Sequence, residues 1–524
     1  MDRDLAREGS GMPRLWSVAL YCLIIAAGCL LICSKSSPLY PINDWSDANI
    51  YFSMGKGMAR GRVIYRDLYD HKGPLLYGLH ALCAWISPLS FLGVWLLEIL
   101  CLTAFLVSLY QHLRLYGAGR AALLALPLAA ALVTSSYAFQ QGDSAEEFCL
   151  PLLSFSLLWL LRYLKEQAPG PMPAKTALAC GVLCGCVLWM KFTMLGLHLA
   201  WIVIAFGIQA QRGQWKAAWR CFFSYAAGIA LATLPWVLYF GLHGALGDWL
   251  KTYFYDNLFL YSGSEAAGLW GRGKAMARSF LTWGMENWGY LALLAAGMLR
   301  ISGLWLRRQK AGANRNEKGR AEGSPSPWER AALWLGLGLL TLGVFIGGKS
   351  YPYYGLILYS FMGVAFTLPA LWAGRLPGAA KAGKAAVRGL CAGAAALSFA
   401  LCLLGSPNVK TSFLQPKEST MQYRLAAVIG QTPDATLLNY GFMDAGFYTA
   451  SGIVPSVKYF HQTNVPLEEM LQEQSRYLQE GLCTYVVTRG KQPETIVDRY
   501  DLVATAPSPG FWYDHVELYR LKGE

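Results

Sequence analysis

Two segments of this 524-residue chain carry acidic side chains whose types and spacing could do chemistry. The first segment carries Asp44 and Asp47, and it continues to Asp67 and Asp70. The second segment, residues 140–148, places three carboxylates within five residues: Asp143, Glu146 and Glu147. A carboxylate can accept the proton of an attacking hydroxyl group, and paired carboxylates can hold a divalent cation beside a phosphate. The two segments are therefore the candidates for a shared acidic site.

The same acids also fit simpler roles. Glu146 or Glu147 at the start of an apolar helix would be stabilised by the helix dipole alone. A single aspartate of the first segment equally fits a turn or a helix cap. Three acids in one segment beside four in the other favour a common cleft, and both interpretations stay open for each residue.

The composition is that of a membrane protein. Hydrophobic residues make up 55% of the chain and charged residues 15%, whereas a soluble protein carries about 25% charged residues. A membrane-spanning helix needs roughly 20 mostly apolar residues. Eleven apolar runs predict such helices, near residues 15–33, 90–112, 121–138, 147–163, 176–191, 193–210, 221–241, 284–305, 329–347, 353–373 and 389–405. The shorter run from Pro74 to Ile86 predicts a partly inserted helix.

Basic residues in the short loops set the predicted orientation. A cytoplasmic N-terminus, residues 1–14, puts most basic loops inside, including a linker over 306–328. The first outer loop, 34–89, is the exception because it is rich in lysine and arginine, which its four aspartates can pair. The net charge of +13 is thus explained by membrane topology, and nucleic acid is not expected as a partner. We expect a multi-pass protein of the cytoplasmic membrane.

The chain after residue 405 has a different character. Residues 406–524 are more polar, with strand-like runs at 435–439, 484–488 and 516–521. A helix-like stretch occupies 466–480. An odd number of spans places this region outside, so the sequence predicts an all-α membrane domain over 15–405 followed by a small extracytoplasmic α/β or α+β domain.

Among the lysines on the predicted outer side, three are candidates for the acidic site. They are Lys72, Lys191 at the end of an apolar run, and Lys349. A lysine at a helix end often extends to the membrane surface without any function, and that reading stays open for Lys191. Three lysines beside an acidic cleft would suit a phosphate-bearing lipid.

Several motifs together resemble a known family. The runs DANIY from Asp47, GRVIYRD from Gly61 and DHKGPLLY from Asp70 look like the first outer loop of bacterial GT-C glycosyltransferases. These are similar to the protein O-mannosyltransferases and to the aminoarabinose transferase that modifies lipid A. Asp47, not Asp44, keeps the spacing to the aromatic residue Tyr51. Residues 142–150 resemble the second acidic motif of the family, and Lys191 and 351–354 resemble later segments.

The resemblance implies a fold, a reaction and a set of site residues. It implies a GT-C-like helical membrane fold and transfer of a sugar from a polyprenyl-phosphate donor to an extracytoplasmic glycan, lipid or protein, usually with inversion. Asp47 is then the expected general base. The further catalytic candidates are Asp44, Glu146 and Glu147, and the substrate-binding candidates are Tyr65, Lys72, Asp143, Lys191, Lys349, Tyr353 and Tyr354. A divalent cation is a candidate cofactor without assigned ligands, because Tyr353 stands where the family often has a histidine.

Two other classes of function compete with this hypothesis. A lipid or glycan transporter or flippase usually places ionisable groups near the membrane midplane. Here such groups are few, and His80, Glu98 and His198 are too scattered to form a proton relay, so His80 and His198 are interpreted as buried, hydrogen-bonded residues. A non-enzymatic scaffold would leave the paired acidic segments unexplained. The sequence therefore favours the glycosyltransferase, with membrane lipids as its surroundings.

Overall fold

A computed structural model describes residues 13–167, 170–261, 268–303, 325–375, 384–490, 493–509 and 513–523. Most of the predicted cytoplasmic N-terminus and most of the predicted linker over 306–328 lie outside these ranges. The membrane region is therefore described from residue 15 to residue 405, apart from the gaps in these ranges.

Helices dominate the described residues before position 406. They are α1 (Leu15–Cys33), α2 (Ser46–Ala59), α3 (Pro74–Ile86), α4 (Leu92–Leu115), α5 (Ala121–Thr134), α6 (Ala145–Arg162), α7 (Ala174–Lys191), α8 (Gly196–Gln211), α9 (Trp215–Leu242), α10 (Leu246–Leu250), α11 (Gly268–Glu286), α12 (Trp288–Ile301), α13 (Pro327–Phe345), α14 (Met362–Ala365), α15 (Thr367–Arg375) and α16 (Lys384–Gly405). A π-helix over Lys251–Tyr261 follows α10, and a 3-10 helix over Pro352–Phe361 precedes α14.

Eight segments of the described chain are long and apolar enough to cross a membrane. They are Leu15–Cys33, Leu92–Leu115, Ala145–Glu166, Ala174–Met194, Trp215–Leu242, Pro327–Phe345, Pro352–Arg375 and Ala385–Gly405. The three other predicted spans correspond to the shorter helices α5, α8 and α12, of 14, 16 and 14 residues. The predicted count of about eleven spans is therefore not confirmed, whereas the multi-pass helical character is.

The first predicted outer loop is largely helical. It contains α2 and α3, which pack closely because Gly55 lies against His80. A Cβ atom on Gly55 would stand only 2.5 Å from the Cβ of His80, so a larger residue does not fit without movement. The segment between residues 242 and 283, interpreted as a loop, also holds α10, the π-helix and part of α11.

The C-terminal residues form a mixed sheet with helices. The helices are α17 (Met421–Ile429), α18 (Phe447–Ser451), α19 (Glu468–Glu480) and α20 (Glu494–Arg499), and the strands are β1 (Leu437–Asn439), β2 (Tyr485–Thr488), β3 (Tyr500–Pro507) and β4 (His515–Leu521). The strand order is β1-β2-β4-β3, with β1 parallel to β2 and the other pairs antiparallel. This agrees with the predicted small α+β unit.

The C-terminal unit docks on the far side of α2 through buried polar contacts. The Lys56 ammonium donates hydrogen bonds to the carbonyl oxygens of Tyr448 and Ile453, at 2.7 and 3.0 Å. The Ser53 hydroxyl donates to Asp444 at 2.8 Å. Both α2 residues are buried, so the C-terminal unit fixes the helix whose first turn carries Asp47.

Candidate active site

The carboxylate of Asp47 lies at the centre of a cluster of hydroxyl and ammonium groups. Asp47 is in the first turn of α2, and Tyr51 follows four residues later on the same face of the helix. The hydroxyls of Tyr51 and Tyr353 donate to one oxygen of Asp47, at 3.0 and 3.3 Å. The ammonium of Lys72 lies 3.9 Å from the same oxygen. The whole Asp47 residue is 8% exposed, so its carboxylate is oriented and largely shielded from solvent.

Two tyrosine hydroxyls hold the backbone of Lys72. The Tyr65 hydroxyl donates to the carbonyl oxygen of Lys72 at 2.7 Å, and the Tyr77 hydroxyl accepts from its amide at 2.9 Å. Tyr65 has a positive φ of 69°, a strained conformation for a non-glycine residue that is retained where it serves this contact. Burial lowers the pKa of Lys72, but the charges of Asp47 and Asp70 outweigh burial and hold that pKa above its ordinary value.

Asp70 supports the same segment from the other side. It accepts the hydroxyl of Tyr77 at 2.6 Å and lies 3.3 Å from Nδ1 of His71. Burial raises the pKa of Asp70, but His71 and the charge of Lys72 more than offset burial and keep that pKa below its ordinary range. Asp70 is therefore a charged, buried partner that keeps Lys72 protonated.

A second charged pair joins the start of α6 to the end of α7. The ammonium of Lys191 lies 2.5 Å from a carboxylate oxygen of Glu146. It also lies 3.8 Å from the ring centroid of Tyr354 and 5.6 Å from that of Tyr353. Tyr353 also donates its hydroxyl to Asp47, so this one side chain contacts both charged pairs.

The approach of the Lys72 segment to α7 depends on a glycine. Gly73 donates its amide to the carbonyl oxygen of Met190 at 3.2 Å. A Cβ atom at this position would collide with the carbonyl oxygen of Trp189. The run from Lys72 to Pro74 in the sequence motif therefore has a structural reason, because the glycine lets Lys72 lie beside the end of the helix that carries Lys191.

Lys349 completes a group of lysines and tyrosines. Its ammonium lies 3.4 Å from the ring centroid of Tyr261. The hydroxyl of Tyr261 lies 3.4 Å from that of Tyr354, which in turn packs against Lys191. Lys349 and Lys191 are thus linked by tyrosine rings, and Lys72 joins them through Asp47, which Tyr353 also contacts. We call this group the lysine–tyrosine cluster: Lys72, Lys191, Lys349, Tyr261, Tyr353 and Tyr354.

Asp143 belongs to a separate buried network behind Tyr51. Its carboxylate lies 2.8 Å from Nε2 of His80, and its amide donates to Glu98 at 3.1 Å. The Ser34 hydroxyl also donates to Glu98, at 2.6 Å. Burial raises the pKa of Asp143, and the contact with His80 opposes that rise. The ring of His80 lies 5.8 Å from that of Tyr51, so the network supports the wall of the Asp47 site.

His80 is buried and hydrogen-bonded, as the sequence predicts, and the network also joins it to Glu98 through Asp143. Gly142 and Asp143 both have positive φ, 66° and 46°, and this turn brings Asp143 back between α3 and α4. A Cβ atom on Gly142 would lie 3.3 Å from a carboxylate oxygen of Glu98. The turn consists of two successive left-handed residues, which a glycine before an aspartate permits. This pair of residues is the local sequence signal for the turn.

Two of the predicted catalytic acids lie elsewhere. Asp44 is 40% exposed at its side chain and pairs with Lys35 at 2.6 Å, rather than with the side chains around Asp47. Glu147 is buried and faces a small cavity of about 10 Å³, which Cys101 and Phe105 also line. The structure thus brings Asp47, Glu146 and the three lysines together and places Asp44, Asp143 and Glu147 outside this group.

The described side chains do not fit a metal ion. Among the residues described, no group of three or more histidines, cysteines, aspartates or glutamates has a metal-binding arrangement. The acids near the site are already engaged, Asp47 by tyrosines and Glu146 by Lys191. No step of the proposed reaction is therefore assigned to a cation.

The fold and the site together define a polytopic helical membrane protein with a buried carboxylate beside a lysine–tyrosine cluster. The chain has the fold of ArnT, so the resemblance to GT-C glycosyltransferases is confirmed for the fold. ArnT from Cupriavidus metallidurans bound to undecaprenyl phosphate has a TM-score of 0.55 and 14% identity, with 97% of this chain and 98% of that chain covered.

Two further structures are similar at lower scores. The apo state of the same ArnT has a TM-score of 0.53 and 13% identity, covering 96% of this chain and 98% of that chain. The oligosaccharyltransferase AglB from Archaeoglobus fulgidus, in complex with an inhibitory peptide and a dolichol-phosphate, has a TM-score of 0.45 and 12% identity, covering 90% of this chain and 69% of that chain. No family model and no curated protein matches the sequence.

Proposed function

We propose that this protein is a glycosyltransferase that moves a sugar from a polyprenyl-phosphate donor to an acceptor outside the cytoplasmic membrane. The observation that carries the proposal is the Asp47 carboxylate, fixed by two tyrosine hydroxyls and 3.9 Å from the Lys72 ammonium. A base and a phosphate-binding cation side by side are what such a transfer requires.

The reaction follows from this arrangement. The acceptor hydroxyl gives its proton to Asp47 as its oxygen attacks the anomeric carbon of the sugar. The bond between that carbon and the donor phosphate oxygen breaks, and the electron pair leaves with the polyprenyl phosphate. Attack from the face opposite the phosphate inverts the anomeric centre. The proton leaves Asp47 when the product departs.

The lysine–tyrosine cluster would bind the phosphate that leaves. A protonated Lys72 offers a positive charge next to the base, and Asp70 maintains that charge. Lys191 and Lys349 extend the positive surface, and the tyrosine rings between them offer faces for a sugar ring. Lysine ammonium groups stabilise the charge that develops on a leaving phosphate. The undecaprenyl phosphate bound in the ArnT structure supports this class of donor.

The remaining candidates take supporting roles in this proposal. The Tyr65 hydroxyl positions Lys72 by donating to the Lys72 carbonyl oxygen. In this proposal Tyr65 does not contact the substrate. Asp143 orients His80 against Tyr51, and Glu146 orients Lys191. Asp44, which pairs with Lys35, has no part in the proposed reaction. Asp47 is then the single general base.

The membrane topology that we propose is the one that the sequence predicts. Residues 1–14 lie in the cytoplasm, residues 15–405 form the membrane domain, and residues 406–524 form an extracytoplasmic domain on the side of Asp47. The contacts of Lys56 and Ser53 with the C-terminal unit support a common side for that unit and the first outer loop. A cysteine-labelling experiment with a membrane-impermeant reagent on a residue added after Glu524 would test this orientation.

The activity is tested with purified protein in vesicles that contain a radiolabelled polyprenyl-phosphate sugar and an envelope extract as acceptor. Protein-dependent transfer of label to the acceptor, with release of polyprenyl phosphate, is the expected result. A panel of donors with hexoses and pentoses covers the unknown sugar. If the protein is folded and binds polyprenyl phosphate but transfers no label from any of these donors, the enzymatic proposal is contradicted.

A further inference from the structure

A cavity with a mixed apolar and polar lining lies where α1 ends and α4 begins, and no residue that contacts the Asp47 carboxylate lines it. Its volume is about 160 Å³. Three parts of the chain line it: the segment after α1, the start of α4 and the C-terminal unit. The residues that matter for its chemistry are Lys35, Asn43, Ser90, Leu92, Lys417 and Tyr423. The C-terminal unit therefore completes a cavity that the membrane domain alone leaves open.

The cavity lies at the boundary of the membrane. Cys33 ends one candidate membrane span and Leu92 begins another, so both span ends meet at this depth. Trp85, on the neighbouring helix α3, is 69% exposed. Tryptophan is enriched at the boundary between hydrocarbon and headgroups, and its exposure here marks the same level. A molecule in this cavity would lie among lipid headgroups.

The charges of the cavity fit an anion. Lys417 and Lys35 both line the cavity, and the Asp44 carboxylate offsets part of the charge of Lys35 but not that of Lys417. Lys35 gives one hydrogen bond to Asp44 at 2.6 Å, which leaves two of its three N–H donors for a ligand. Lys417 lies 5.3 Å from the ring centroid of Tyr423, and this contact holds it at the cavity. A phosphate is the anion that membrane lipids present at this depth.

A row of exposed leucines leads from the cavity along α4. Leu92, Leu96 and Leu100 are spaced by four residues and lie on one face of the helix. Their side chains are 39%, 39% and 62% exposed. The row spans about 12 Å, at 1.5 Å per residue, which matches part of a lipid chain that descends from a headgroup in the cavity.

We propose that this cavity is a binding site for the phosphate-bearing headgroup of an anionic lipid whose chain lies along the leucine row of α4. The headgroup contacts the ammonium groups of Lys417 and Lys35. The site is separate from the lysine–tyrosine cluster and does not depend on the proposed transferase activity.

The headgroup site has a short structural connection to Asp47. Asn43 lines the cavity, and its side-chain oxygen accepts the backbone amide of Trp45 at 3.1 Å. The ring of Trp45 lies 4.8 Å from that of Tyr353, whose hydroxyl reaches Asp47. A lipid in the cavity would order the segment that leads into α2.

The experiment uses the full chain, delipidated in detergent and titrated with fluorescent phosphatidylglycerol. Lys417→Gln is expected to weaken binding about fivefold, because a lysine near an anionic lipid contributes about 1 kcal/mol. Lys410→Gln is the matched control: this lysine is also exposed in the C-terminal region but does not line the cavity, and its loss leaves the affinity unchanged. Equal affinities for wild type and Lys417→Gln would overturn the headgroup assignment.

Two further arms separate the alternatives. Inorganic phosphate in excess is expected not to displace the lipid, because the chain contributes to binding; displacement that depends on Lys417 would overturn the lipid assignment in favour of a free phosphate site. Leu96→Ser is expected to weaken phosphatidylglycerol binding, and Leu231→Ser, at an exposed leucine of α9, is its control. An unchanged affinity for Leu96→Ser would overturn the path assigned to the chain.

Discussion

Replacing Lys191 with methionine separates the structural role of this lysine from its proposed role with the phosphate. The ammonium of Lys191 lies 2.5 Å from Glu146, and the two side chains are only 14% and 2% exposed. Removing one partner of a buried ion pair leaves the other charge unpaired and costs about 3–5 kcal/mol. Lys191→Met is therefore expected to lower the thermal unfolding temperature in detergent clearly.

The double variant Lys191→Met, Glu146→Gln removes both charges. It is expected to recover most of the lost stability, because no uncompensated charge stays buried. Its affinity for polyprenyl phosphate is expected to stay roughly ten- to a hundredfold below wild type, since a hydrogen bond to a charged group contributes about 1.5–3 kcal/mol. The measurements are thermal unfolding and titration with polyprenyl phosphate on the same preparations.

A matched pair at another point of the membrane domain serves as control. Lys165 lies 3.3 Å from Glu329, with side chains 20% and 2% exposed. Lys165→Met is expected to destabilise the protein in a similar way and to leave the affinity of the folded protein for polyprenyl phosphate unchanged. If the Lys191 and Glu146 double variant regained both stability and affinity, Lys191 would be structural only and the reasoning would be refuted.

Three other changes test neighbouring parts of the structure. Tyr353→Phe removes one hydroxyl from Asp47, and loss of a hydrogen bond of about 0.5–1.5 kcal/mol predicts transfer two- to twelvefold slower and a loss of stability no larger than that; an unaltered rate would argue against this contact. Burial lowers the pKa of Lys56 from 10.5 to about 7, so the unfolded chain binds more protons between these values and stability is expected to rise with pH across that window. Lys56→Met should flatten that rise, and a pH profile of the unfolding temperature that keeps its slope would contradict the assignment. Gly55→Ala places a Cβ 2.5 Å from that of His80, and a measured loss of stability of about 1–3 kcal/mol is expected, whereas wild-type stability would show that α2 and α3 can separate at no cost.

Much of the helical framework follows from the sequence because it depends on local hydrophobic runs. The predicted span 15–33 coincides with α1, and the predicted partly inserted helix Pro74–Ile86 coincides with α3. The spacing of Asp47 and Tyr51 places them on one helical face, and the structure joins them by a hydrogen bond. The assignments of catalytic and substrate-binding roles stay predictions.

Other features depend on contacts between distant segments, which local patterns do not contain. The approach of Asp143 to His80 and Glu98 requires a left-handed turn at Gly142 and the close packing of two helices. Strand β3 was missed because it is an edge strand with five exposed residues among eight, so its hydrophobic pattern is weak. Its partner β4, with buried residues in the sheet, was predicted.

The central claim is that Asp47 is the base of a sugar transfer, and Asp47→Asn tests it most directly. Asparagine keeps the size of the side chain but does not accept a proton, so transfer from a labelled polyprenyl-phosphate sugar is expected to fall about 10²–10⁴-fold while polyprenyl phosphate still binds. Asp44→Asn, at the partly exposed aspartate paired with Lys35, is the control and is expected to retain transfer. Full transfer by Asp47→Asn, or an equal loss in Asp44→Asn, would contradict the account.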